Sequence, residues 1–199
     1  MALYQYTPLD LNEPNFWLMR LFPAGNKLDP ISYEIFHSPL DSIWTPRYEA
    51  VFYVWGDPDS TRDIYIVGIG REAISRYKIL PVTMNLYAAL LGLRECSRPI
   101  LLWINAICID QNNNLESGHQ VQSMLEIYAT ATGVKAWLWP ENENVSTLAS
   151  LVSSYITYKR FSVPETEAFA RYASRFWFKR AWVRRLYPTC RDMKLISMP

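Results

Sequence analysis

The chain has 199 residues, of which 50% are hydrophobic and 20% charged, a globular composition that excludes a disordered chain. Lys+Arg 20 against Asp+Glu 19 leaves a formal net charge of +1, which speaks against broad capture of nucleic acid or anionic membrane. Cys96, Cys108 and Cys190 are odd in number and show no CxxC spacing, and His37 and His119 are the only histidines, so neither a disulfide framework nor a structural zinc site is expected.

The first ten residues lack the basic and then apolar regions of a signal peptide. The longest apolar run, Ile100 to Ile109, is broken by Asn105 and is far shorter than the ~20 residues that span a bilayer. These features predict a cytoplasmic protein without a membrane segment, in which the Asn144-Val145-Ser146 sequon is idle.

Elements follow in chain order. Phe16 to Phe22 reads as an edge strand and Ile31 to Phe36 as a second short strand. Tyr48 to Trp55 reads as a buried strand ended by Gly56-Asp57-Pro58. Asp63 to Val67 and Arg76 to Val82 read as a pair of strands. Thr83 is placed to cap a helix in which Leu86, Ala89, Leu90 and Leu93 share a face. Ile100 to Ile104 is a continuous apolar run, as in a central parallel strand covered on both faces. A helix is predicted over residues 115–130, with Val121, Met124, Leu125 and Tyr128 as its apolar stripe. Val134 to Trp139 reads as the next strand, with further helices at 148–158 and from Pro164 to about Tyr187. Alternating strands and helices predict an α/β domain over residues 1–187 with a mostly parallel sheet and helices on both faces, followed by a tail at 188–199.

Gly68-Ile69-Gly70-Arg71-Glu72-Ala73 fits GxGxx(G/A). A dinucleotide fingerprint needs a long helix next, and here a strand-like segment follows, so the motif reads as a turn between strands. There is no GxSxG motif. Cys108 has no basic neighbour in sequence to lower its pKa and reads as a buried structural thiol. His119 reads as a solvated or core-edge helix residue rather than as a general base.

The polar cluster Asn105, Asp110 and Gln111 directly follows the apolar strand, where open parallel sheets place their ligand crevice. Glu116 and Gln120 lie one turn apart on the next helix. A first-turn carboxylate also stabilises a helix through the macrodipole, and Asp110 is equally a turn residue. Tyr53 and Trp55 alternate onto one face beside Gly56-Asp57, where an aromatic either packs or stacks a planar ligand. Spacing leaves each of these pairs of readings open.

The ordered set of these motifs resembles the heterokaryon incompatibility (HET) domain of filamentous fungi. The matching pieces begin with YEAVFYVWGD at Tyr48 to Asp57 and Val82 to Leu86 with Ala89-Leu90 and Leu93-Arg94. They continue with LWINAICIDQ at Leu102 to Gln111, then Glu116, Gln120-Val121, Met124, Ile127-Tyr128, Ala131 and Val134 to Leu138. Tyr4 to Leu9 resembles the stretch before such domains, and Arg180-Ala181-Trp182-Val183 the later R-x-W motif. The chain departs from the family at Val51-Phe52, where Leu-Ser is usual, at Asn105, where Asp is usual, at Trp139, where Gly is usual, and after Val183, where Gln-Glu is usual.

The resemblance implies a trigger of programmed cell death after non-self recognition. HET domains are regarded as similar to TIR domains, which implies a flavodoxin-like sheet and, by extension, cleavage of NAD at the nicotinamide–ribose bond. On that implication Glu116 is the catalytic carboxylate, holding the ribose hydroxyls and stabilising oxocarbenium-like charge. Tyr53, Trp55 and Trp103 would stack the base or nicotinamide beside Gly56 and Asp57, while Asn105, Asp110, Gln111 and Gln120 would orient ribose or phosphate. NAD is then a substrate and not a resident cofactor. The alternative is a non-catalytic module that self-associates or binds another incompatibility protein through an exposed aromatic patch at Phe176 to Trp182. Nucleic-acid binding through Arg171, Arg175, Lys179, Arg180, Arg184 and Arg185 is a weaker alternative, since such a run is also the solvated face of a helix.

Overall fold

A computed structural model describes residues 2–40, 43–53, 55–67, 78–137 and 193–196. The GxGxxA segment, Trp139, the helices expected beyond residue 147, the Phe176–Trp182 patch, the basic run and Cys190 lie outside the described residues.

Eight described strands form one sheet in the order β5-β4-β2-β1-β6-β3-β7-β8. They are β1 (Asn15–Leu21), β2 (Ser32–Pro39), β3 (Glu49–Phe52), β4 (Thr61–Ile66), β5 (Lys78–Thr83), β6 (Ile100–Trp103), β7 (Gly133–Trp137) and β8 (Met193–Ile196). Helix α1 (Met84–Leu93) precedes β6, and α2 (Asn105–Cys108) and α3 (Asn114–Thr130) lie between β6 and β7.

The sheet is mixed, which corrects the mostly parallel, flavodoxin-like expectation. The half running β6-β3-β7-β8 is parallel. The other half is built from two antiparallel pairs, β1–β2 and β4–β5, joined to each other by a short parallel contact between β2 and β4. Antiparallel neighbours need only short connections, whereas parallel ones need a crossover. The segments linking β1 to β2 and β4 to β5 are too short for a helical crossover, so these strands fold back on themselves. The strand at Asn15–Leu21 is also interior and not an edge, since β2 flanks it on one side and β6 on the other. Phe16, Leu18, Met19 and Leu21 are fully buried there. β6 is central as expected but parallel to β3 alone, because β1 runs against its other side.

Alternation along β3 and β7 sends α1 and α3 to opposite faces. Trp137 of β7 donates through Nε1 to Asn85 of α1, 3.0 Å away. Phe52, in register with Ala136, meets Tyr128 of α3. Thr83 caps α1 as predicted, accepting from the Leu86 N–H, and Leu86, Ala89, Leu90 and Leu93 are buried. At the same C-terminal end of α3, the Tyr48 hydroxyl donates to the Ile127 carbonyl. Thr132 returns two hydrogen bonds to the Tyr48 carbonyl, from its amide and from its hydroxyl.

The predicted stripe of α3 is only partly inside. Tyr128 is buried, but Val121 is 55% and Leu125 49% exposed. The inward face carries Glu116, Gln120, Ile127 and Tyr128 instead. A hydropathy pattern cannot anticipate this, because the buried polar pair is stabilised by hydrogen bonds with distant segments, accepted by Glu116 and donated by Gln120.

Candidate functional site

LWINAICIDQ leaves β6 at Trp103 and turns at once into the single turn α2. Cys108 folds back on the strand it follows: the Ile104 amide donates to its sulfur at 3.4 Å, and its thiol faces the Leu102 carbonyl at 3.9 Å. It is fully buried, and burial pushes its pKa up to about 12. That describes an inert packing thiol. Asp110 closes the next turn by accepting from the Asn112 amide. Gln111 donates its side-chain amide to the carbonyls of Asn105 and Ile109, tying the loop to itself. Asn113 then caps α3 by accepting from the Glu116 amide at 3.2 Å.

This cap fixes the first turn of α3 and turns the Glu116 side chain inward, where 1% of the residue is exposed. Trp17 of β1 donates from Nε1 to one carboxylate oxygen at 3.0 Å, and the Leu9 amide donates to the other at 3.4 Å. Gln120, also fully buried, donates to the Asn15 carbonyl at 2.9 Å. Glu116 and Gln120 therefore fasten α3 to β1 and to the segment before it.

That segment, residues 2–14, runs across the sheet from β5 to β1. At β5 it exchanges backbone hydrogen bonds with Ile79, from Tyr4 and to Ala2. Further on, the Tyr6 hydroxyl donates to the Ile107 carbonyl of α2 at 2.7 Å. Tyr4, Tyr6 and Trp17 meet edge to face in sequence, and His37 of β2, in register with Trp17, also meets its ring edge to face. Burial raises the Tyr6 pKa above the ordinary phenol range and lowers that of His37, against the opposing pull of Glu116 on the imidazole.

The remaining residues of interest are distributed around this assembly. Trp103 is fully buried against Tyr128, so its ring belongs to the core and presents no face to a ligand. Tyr53 is 6% exposed and is likewise packed. Trp55 is partly open at 36%. Gly56 adopts φ 78°, and a Cβ there would stand 3.2 Å from that of Asn85, so this turn needs glycine to sit against α1. Asp57 accepts from the Asp59 amide and shapes the turn into β4. The contacts of Gly56 are thus with α1, while those of Glu116 are with β1 and the N-terminal segment.

The residues missed by sequence reasoning are Leu9, Trp17 and Tyr6, which supply the partners of Glu116 and α2. Their one visible signal is the Tyr-Gln-Tyr alternation ahead of β1. Among the described residues, no group of three or more His, Cys, Asp or Glu is placed to hold a metal ion, and no helix is long and apolar enough to cross a membrane.

A curated relative, heterokaryon incompatibility protein 6 (OR allele) of Neurospora crassa, is 28% identical over 239 aligned positions, covering 96% of this chain. The alignment takes in 34% of the relative, so the chain spans about a third of that protein's length. No solved structure matches the chain. The family model for heterokaryon incompatibility proteins matches residues 48–185, the span that contains β3 to β7 and the Glu116 helix. The chain belongs to the heterokaryon incompatibility (HET) family.

Proposed function

We propose that this chain acts in fungal non-self recognition as a HET module that passes a cell-death signal by contact with another protein. The observation that carries this reading is the state of Glu116. Its carboxylate is buried, and each oxygen already accepts a hydrogen bond from the chain itself. A carboxylate that stabilises a sugar oxocarbenium ion must stand against the ribose, within reach of its hydroxyls. Here that position is filled by Trp17 and Leu9, which makes Glu116 a structural anchor of α3.

The second reading is NAD cleavage in the manner of TIR domains. It is favoured by the placement of Asn105, Asp110 and Gln111 beyond the carboxyl end of β6, where parallel strands present ligands. It requires residues 2–14 to leave Glu116 before substrate enters. Nicotinamide release from NAD by concentrated protein separates the two readings. The contact reading expects no release from the whole chain or from Glu116→Gln. Release by the whole chain that is lost in Glu116→Gln at unchanged stability overturns it in favour of the enzyme.

A further inference from the structure

The sheet contains a gap between β4 and the residues leading into β2. β2 and β4 are in register at only two pairs, Ser32↔Tyr65 and Tyr33↔Ile66. The amides of Tyr65 and Val67 donate to Ile31 and Tyr33 across this contact. By the two-residue period of a strand, the backbone groups of Asp63 and Thr61 face the same side. Asp63 lies opposite Pro81 of β5, which has no N–H to give, consistent with Asp63 directing its own groups away from β5.

On the β2 side nothing described meets them. A regular ladder would continue to Asp29 and Ile31. The chain turns away there instead, and Arg94 holds it away. Its guanidinium donates to four carbonyls, those of Asn26, Lys27, Asp29 and Pro30, at 2.9–3.2 Å. The Asp29 carbonyl that would have accepted from Asp63 is thereby engaged, and Pro30 offers no donor. The space left is a groove of about 460 Å³, with Leu28 and Pro30 on one wall and Thr61, Asp63 and Tyr65 on the other. Tyr87 of α1 also lines it, beneath the Arg62 guanidinium.

The outer edge of the same sheet is treated differently. β5 is covered at Ile79 by residues 2–4 and carries Pro81 in its middle, the usual devices that keep an edge from recruiting another strand. The half-edge at Thr61–Asp63 has neither, and all three of its residues are exposed.

We propose that this half-edge is a docking slot for an extended peptide segment of a partner protein, added to β4 in line with β2. Main-chain hydrogen bonds to Thr61 and Asp63 would give affinity, and alternating side chains specificity. One face of the slot presents the Asp63 carboxylate and takes a basic side chain. The other presents Tyr87, with the Arg62 guanidinium over its ring, and takes apolar neighbours beside them. As a partner surface the slot rests on the contact reading above. Binding is measured directly, so its failure and that of the nicotinamide test are distinct results.

The probe is a fluorescent, end-blocked pentapeptide, Thr-Val-Lys-Val-Thr, titrated into the whole chain. Saturable binding is expected, with amide shifts at Thr61 and Asp63. N-methylating alternate residues should cost at least tenfold in one register and little in the other, because only one set of amides faces β4. Asp63→Pro should cost a similar factor, and a Glu in place of the peptide's Lys several-fold. No binding at millimolar peptide, or equal loss in both N-methylated registers, overturns the proposal. So does concentration-dependent dimerisation that Asp63→Pro abolishes, which would give the slot to a second copy of the chain.

Discussion

The carboxyl end of β6 and the amino end of β4 lie in one sheet and treat polar groups in opposite ways. At β6, the inward carboxylate of α3 is closed over by a segment with no regular structure of its own, residues 2–14, which brings Leu9 to it and Tyr6 to α2. At β4, backbone groups stay open because an arginine holds the neighbouring turn away from them. The motifs that carry the resemblance to HET domains include the first end, and that end is the more enclosed. The open end lies among residues with no chemical signature. Family motifs in this chain therefore mark what must be held together as much as what must be reached.

The sharpest way to break this comparison is Glu116→Ala. Removing the acceptor leaves the Trp17 and Leu9 donors buried and unpaired, at about 1–3 kcal/mol each. A loss of roughly 2–6 kcal/mol is expected in urea unfolding, with Glu116→Gln, which keeps one acceptor oxygen, losing less. A loss well under 1 kcal/mol would show that the carboxylate is not an anchor. Arg94→Ala comes next, at about 1.5–3 kcal/mol for charge-assisted hydrogen bonds in the upper case, and it should also weaken the pentapeptide as the turn relaxes into the slot. Tyr6→Phe removes one hydroxyl bond to Ile107 and should cost about 1 kcal/mol. Asp63→Pro should change stability by no more than about 0.5 kcal/mol, because its amide serves no internal partner. A large loss there would mean that the half-edge is already paired.

Alkaline pH tests the closed end without a mutation. Burial pushes Tyr4 and Cys108 each up to about 12, from 10.0 and 9.0. Between the ordinary and the raised values the unfolded chain loses these protons first, so the folded state binds more of them and stability falls as pH rises. Thermal midpoints should hold steady up to about pH 9 and then decline towards pH 12, with Cys108→Ala showing the shallower decline.

Much of the element order was legible. The Thr83 cap, the helix that follows it, the apolar β6 run and the start of α3 all rest on local chemistry that a sequence displays directly. The sheet was less so. Phe16–Phe22 reads as an edge strand because only one strand close in sequence, β2, can flank it; its second neighbour, β6, lies far along the chain. The same distance hid the anchor. Glu116 looks like a first-turn acid, which it is, but its inward orientation depends on Trp17, and no periodicity joins residues so far apart. Val121 and Leu125 were misplaced for the complementary reason, since hydrogen-bonded polar residues took the inward face of α3. The placement of Asn105, Asp110 and Gln111 beyond the carboxyl end of β6 was legible locally, and the structure puts them there, with Asn105 opening α2 rather than lying in a loop.

The interior position of β1 also shapes how the chain assembles in time. β1 and β2 are close in sequence and can pair as soon as both have been synthesised. β6, which covers the other side of β1, follows about 80 residues later. At bacterial to eukaryotic elongation speeds of about 5–20 residues per second, that is a wait of roughly 4–16 s. Throughout it, a strand rich in Phe, Trp, Leu and Met has one edge without a partner, which is the condition under which nascent chains pair with one another. The step that ends this exposure is long-range and slow by the rules of contact order. Yield in the cell should therefore depend on chaperone supply and synthesis rate more strongly than the stability of the finished fold would suggest.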